Sequence, residues 1–275
     1  MKKRILAAFM LSLLLLLSSC GEVKTVELEY TFEPYTAFTG VDVTGEVTLD
    51  DGITLDGVLD EAIWKNSATA IEIAGVTKDA SANYEDINVA VFGERGAVVY
   101  TYIGEHSVYF ALEVKDKNLY YNPIGSQSAS TCVELYFTSK AQESFSEGCY
   151  SVRINPTGGE GEDAVNIGIY IPNDSASEWT DTVMRGRVAA AVQVNGKVCN
   201  TANDTSYSTD GNVGYVMEIA ISKALIGEDA DAIRFTAAFV QDKGYDLPRL
   251  GNSFIEKTGY KQPDTWIIMT NDGQQ

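Results

Sequence analysis

From Glu46 to the C-terminus the apolar residues come in short runs broken by turn residues, and almost none of them repeats at helical spacing. Strands need only a few residues at a period of two, whereas helices need apolar positions three and four apart over ten or more. Residues 98–103, the turn Gly104-Glu105-His106-Ser107 and residues 108–114 read together as a hairpin of two β-branched, aromatic-rich runs. Segments 87–91, 133–138, 150–154, 164–171, 188–194, 214–221 and 233–240 read as further strands, and 266–270 as the closing one. One short stretch, 60–68, has helical character, while 158–163 and 200–212 are polar loops rich in Gly, Asp and Ser. Many short strands separated by turns predict an all-β fold, an antiparallel, jelly-roll-like β-sandwich with minor short helices over 46–272. A domain of that size buries a sufficient core without metal or disulfide.

The N-terminus follows a different pattern. Met1 to Arg4 is basic, 5–17 is apolar apart from Ser12, and Leu17-Ser18-Ser19-Cys20 follows. Such a run falls short of the ~20 apolar residues that span a bilayer. A basic start and a small-residue end mark a cleavable export signal, and the last four residues resemble the lipobox, whose cysteine is acylated and becomes residue one. The expectation is a lipoprotein signal peptide at 1–20, lipidation at Cys20, and a tether at 21–45 with strand-like alternation over 26–32. The protein would then be held by lipid on the extracellular face of the cell membrane or outer membrane.

Charge and cysteine content narrow the partners. The chain has 20 basic and 39 acidic residues, and loss of Lys2, Lys3 and Arg4 leaves 17 against 39, a balance of −22. Such a surface is repelled by nucleic acid and by anionic head groups, so a neutral partner such as a glycan fits better. Besides Cys20 the cysteines are Cys132, Cys149 and Cys199, an odd number without CxxC spacing. That argues against zinc, and leaves one disulfide or buried free thiols open. The single histidine, His106, lies in the hairpin turn, a poor place for a Ser–His–Asp or Cys–His centre.

Four stretches occur in order: DGVLDEAIW (56–64), SVYFALEVKDKNLYYN (107–122), VELYF (133–137) with YSVRIN (150–155), and GYVMEIAISKALIG (214–227) with FTAAFVQD (235–242). Their order and spacing resemble the family 9 carbohydrate-binding modules, β-sandwich appendages of xylanases, over 48–270. The resemblance implies that Trp64 belongs to the fold motif and the core. Asp116, which closes the 108–114 strand, reads as a turn-forming carboxylate, with a metal ligand as the minority reading. The resemblance also implies that a glutamate and an arginine on successive strands, here Glu134 and Arg153, bind sugar hydroxyls between two tryptophans. The first tryptophan should precede Glu134, where 125–131 (GSQSAST) has no ring; the second has Tyr260 as its nearest substitute. Tyr121, beside Tyr120, lies upstream and is expected to reach the site. Loss of an indole wall removes ~1–3 kcal/mol of stacking, by analogy with rings stacked on bases. The expected sugar-binding set is therefore Glu134, Arg153, Tyr260 and Tyr121.

The same resemblance suggests structural calcium held by loop oxygens. Asp50, Asp51, Glu160, Glu162, Asp163, Asp174 and Asp242 are candidates, though no EF-hand loop is present and no particular site is defined. A haem-binding relative would need axial ligands from His106, Met217 or Met269, and their placement argues against it. The expected function is a non-catalytic carbohydrate-binding surface lipoprotein that takes a polysaccharide or oligosaccharide beside exported glycoside hydrolases or transporters. The alternative is a structural or protein-binding sandwich with a degenerate sugar site.

Overall fold

The computed structural model describes residues 47–65, 70–74, 96–115, 119–120, 127–139, 142–156, 165–182, 187–195, 198–199, 214–227, 230–241, 250–254, 260–270 and 273–274. The export signal, Cys20, the tether, the 87–91 segment, Asp116, Tyr121, Glu160, Glu162, Asp163 and Asp242 lie outside these residues.

A 3-10 turn at Ala62–Lys65 precedes β1 (Ala70–Ala74), β2 (Gly96–Ile103), β3 (Ser107–Lys115) and β4 (Leu119–Tyr120). A second such turn, Gln127–Ala129, leads into β5 (Cys132–Ser139), β6 (Cys149–Asn155), β7 (Asn166–Pro172) and β8 (Trp179–Thr182). Then come β9 (Val188–Asn195), β10 (Val198–Cys199), β11 (Gly214–Ser222), the one-turn helix α1 (Lys223–Ile226), β12 (Ala232–Gln241) and β13 (Leu250–Phe254). The 3-10 turn Pro263–Thr265, β14 (Ile267–Thr270) and β15 (Gly273–Gln274) complete the series. One sheet runs β1-β2-β3-β11-β9, and the other runs β15-β14-β12-β5-β6-β7-β8 with β13 also on β12; both are antiparallel throughout. A short parallel pair joins β4 and β10.

The period-two pattern explains how the two sheets pack. Val108, Phe110, Leu112 and Val114 of β3, with Met217 and Ile219 of β11, share a core with Val133, Leu135 and Phe137 of β5 and Phe235 of β12. Phe110 and Phe235 meet edge-on at 5.2 Å across the interface. Each such side chain contributes roughly 1.5–3 kcal/mol on leaving water. The expected all-β antiparallel sandwich is thus the observed architecture.

The outer faces of the two central strands, β11 and β5, are also largely buried. Over β11 the cover is residues 47–65: Val47, Ile53, Leu55 and Trp64 pack on Tyr109, Ala111, Ala189, Ala191 and Ala220. The DGVLDEAIW stretch serves this docking. Glu218 Oε2 accepts the backbone N–H groups of Asp56 (3.0 Å) and Gly57 (2.8 Å), and Oε1 accepts Trp64 Nε1 (3.0 Å). Gly57 has φ +79°, and a Cβ there would sit 2.8 Å from the Gln193 backbone nitrogen. Trp64 is core, as the resemblance implied.

Several expectations change. Within 60–65 the expected 60–68 helix is a four-residue 3-10 turn, Ala62–Lys65, fixed by Trp64 docking rather than by periodicity, and 66–68 lie outside the described residues. Segment 266–270 is not the closing strand, because β15 pairs outside β14. Strands β8 (WTDT) and β13 (LGNSF) carry too little apolar alternation to be read from sequence, β1 (AIEIA) is short and is not among the expected strands, and Trp179 opens β8. Cys132 and Cys149 are buried, and the Cys132 thiol donates to the Val133 carbonyl at 3.3 Å.

Candidate functional site

On the outer face of the larger sheet, β5 presents Glu134 and Tyr136, β6 presents Ser151 and Arg153, β7 presents Gly168 and Tyr170, and β12 presents Thr236 and Ala238. The alternate residues on these strands enter the core. Register places Glu134 directly opposite Arg153 on one side and Ala238 on the other, and places Tyr136 between Ser151 and Thr236. The sequence-predicted acid–guanidinium pair is therefore real: Arg153 Nε lies 3.4 Å from Glu134 Oε1. The second Glu134 oxygen accepts the Tyr136 hydroxyl at 2.6 Å.

Glu134 differs from the expected rim position. It is 4 % exposed and lies beneath the surface, whereas the Arg153 side chain is 20 % exposed. Glu134 therefore acts on its neighbours, fixing Arg153 through one oxygen and Tyr136 through the other. Burial works against the Arg153 charge, but the Glu134 carboxylate overrides it and the guanidinium pKa is raised. Burial, and then Glu134, also push the Tyr136 phenol up, which keeps it a hydrogen-bond donor.

Rings surround this pair. Tyr136 lies 5.6 Å from Trp179, 5.8 Å from Tyr260 and 6.4 Å from Trp266. Phe145 meets Trp179 edge-on at 4.9 Å, and Tyr260, 40 % exposed, gives the cluster an open ring. Arg153 stacks over Tyr170 with 4.3 Å from Cζ to the ring centroid. Tyr260 thus reaches the site as expected, while Trp179, Trp266, Tyr136 and Tyr170 join it unannounced. For Trp179 this follows from strand order: β8 pairs with β7 on the side away from β6, with Trp179 opposite Pro172. Only the identity of Tyr136 as the aromatic two residues after Glu134 was a legible signal, because period two puts both on one face.

The rim carries charge in pairs. Lys261 Nζ is 3.0 Å from Glu178 Oε2, donates to the Ser177 carbonyl, and lies over the Phe145 and Tyr260 rings at 5.8 and 5.3 Å. Arg234 reaches Glu143 at 3.4 Å. Among the described residues the buried Arg153 Nε, Ser151 Oγ, Thr236 Oγ1 and Trp179 Nε1 have no hydrogen-bond partner, so the Arg153–Glu134 contact is an ion pair without a hydrogen bond at Nε.

Of the calcium candidates, Asp50 is already engaged. Its Oδ1 accepts Glu105 N–H (2.8 Å) and His106 N–H (2.9 Å), and Oδ2 lies 3.4 Å from Ser107 N, so the carboxylate caps the β2–β3 turn. Asp51 and Asp174 are exposed. Among the described residues no group of three acidic, His or Cys side chains is placed to hold an ion.

No protein-family profile and no curated protein matches the sequence. Among solved structures, the chain is similar to a family 9 carbohydrate-binding module from Caldicellulosiruptor kristjanssonii. In its complex with cellotriose the TM-score is 0.48 at 13 % identity, covering 79 % of this chain and 88 % of that one. In its complex with glucose the values are 0.47 and 14 %, over 82 % and 93 %.

Proposed function

We propose that this chain is a non-catalytic carbohydrate-binding lipoprotein that holds an oligosaccharide or a polysaccharide on the outer face of the eight-stranded sheet. The supporting observation is Arg153. Its guanidinium is ion-paired with Glu134 and stacked on Tyr170, and its side chain stays 20 % exposed, beside a ring cluster that includes exposed Tyr260. Sugar recognition needs this combination: a flat apolar surface for the C–H face of a pyranose and fixed donors for its hydroxyls. The Glu134–Arg153 pairing disfavours catalysis, since a carboxylate committed to a guanidinium and a phenol is poorly placed to move protons. Anchoring through Cys20 would set the site close to exported hydrolases or transporters, where tethering raises effective concentration.

The test is an array of xylan, cellulose, mannan and host glycans probed with wild type, Arg153→Ala and Tyr260→Ala. Saturable binding that falls in both variants supports the proposal. A second reading, a structural or protein-binding sandwich, is favoured by the burial of Glu134 and Tyr136 at 4 % and 2 % exposure. It predicts no glycan signal at all.

A further inference from the structure

The stretch before Glu134, where the family pattern would place a ring, supplies Gln127 instead. Its side-chain nitrogen donates to the carbonyls of Arg153 (3.2 Å) on β6 and Asn166 (3.0 Å) on β7. Two acceptors at the nitrogen fix the amide orientation. The amide oxygen then accepts the Tyr170 hydroxyl at 2.8 Å. Asn155 ties the Gln127 and Thr131 carbonyls to the sheet at 2.9 Å each, so the whole turn is pinned. Gly168 lies opposite Arg153 in register. A Cβ there would fall 2.2 Å from Gln127 Oε1 and 3.0 Å from the Tyr170 ring, so the bare backbone is what lets the amide approach.

We infer that Gln127 and Tyr170 are positioning residues for Arg153: the Gln127 amide anchors the Tyr170 hydroxyl to β6 and β7, and the Tyr170 ring backs the guanidinium. The guanidinium–phenol stack takes the place of the ring that 125–131 lacks. It differs from an indole wall in kind, because its edge carries N–H donors in the plane of the wall. It therefore selects a ligand with several hydroxyl oxygens at one rim over a ligand recognised by its apolar face alone. This role rests on the reading of Arg153 as a ligand-binding group, but the positioning itself is measurable without any ligand.

The experiment follows the Arg153 Nε–Hε group by NMR in the purified protein, its signal assigned by disappearance in Arg153→Lys. Steady-state heteronuclear NOE values are compared for wild type, Gln127→Ala, Tyr170→Leu and Tyr170→Phe. The wild-type group is expected to be as rigid as the backbone. It becomes mobile in Gln127→Ala and Tyr170→Leu, and stays closer to wild type in Tyr170→Phe, which keeps the ring and loses only the tie. Gln127→Ala leaves β7 unchanged, so it carries the test should Tyr170→Leu not fold. An Arg153 group that stays rigid in every variant overturns the inference. Affinity for an oligosaccharide found by array should fall roughly tenfold in Gln127→Ala and Tyr170→Leu, the scale of a partly desolvated cation–π contact. Absence of glycan binding by wild type refutes the sugar reading, while the relaxation data still decide the positioning role.

Discussion

Replacing Glu218 removes the acceptor that docks residues 47–65 onto the smaller sheet. In Glu218→Ala the N–H of Gly57 and the indole N–H of Trp64 stay buried with no acceptor, and the N–H of Asp56 becomes partly hydrated. An unmade buried hydrogen bond costs about 1–3 kcal/mol, so the loss should be about 2–6 kcal/mol before any cavity term. Glu218→Gln keeps the volume and one acceptor oxygen but turns an amide N–H₂ toward one of the three donors. A single unmatched donor, about 1–3 kcal/mol, is its expected effect. The pH dependence is separately diagnostic. Burial pushes the Glu218 pKa from 4.5 up to about 7, against the pull of the Asp56, Gly57 and Trp64 donors, with Glu61 adding to the rise. The folded state thus binds this proton more tightly than the unfolded chain, and stability from this group is full below about pH 4.5 and is lost as pH rises through 7. The gap corresponds to about 3 kcal/mol. Urea unfolding of wild type and Glu218→Gln at pH 5 and pH 8 measures it: the wild-type advantage over the variant should shrink at pH 8. An advantage that is constant, or that grows with pH, refutes the reasoning.

Gly57→Ala combines a positive φ with a Cβ pressed against the Gln193 backbone nitrogen, and should lower stability by about 2 kcal/mol or more, read as a fall in Tm. Asp50→Ala frees the turn amides of Glu105, His106 and Ser107; amide exchange at these positions should accelerate and stability fall by about 1–2 kcal/mol. Trp179→Ala removes the ring shared by Tyr136 and Phe145, and its glycan affinity should drop by about tenfold in calorimetry. If Cys20 is acylated as proposed, Cys20→Ser should move the protein from the detergent phase to the aqueous phase in a phase-separation assay.

The sequence made the central strands legible and the periphery obscure, for a physical reason. β2, β3, β5, β6, β11 and β12 bury at least one face, and their Val, Ile, Phe and Tyr spacing records that burial. β8 is an edge strand, WTDT, with one apolar residue, so only its pairing with β7 defines it. The Glu134–Arg153 pair could be expected from two successive strands, because a resemblance supplied the residues and antiparallel register made them neighbours. The aromatic surroundings could not. Trp179 and the 260–266 segment that carries Tyr260 and Trp266 are far apart in sequence and meet at Tyr136 only through the order β14-β12-β5-β6-β7-β8. Likewise the depth of Glu134 depends on what lies over the sheet, which a strand's own residues do not encode.

The most direct measurement is a titration of the purified protein with the oligosaccharide series of the array, followed by NMR at the side chains of Arg153, Tyr260 and Trp179. Saturable shifts at all three, absent in Arg153→Ala with its fold retained, are the predicted result. Shifts confined to other surfaces, or unaltered binding by Arg153→Ala, would contradict the account.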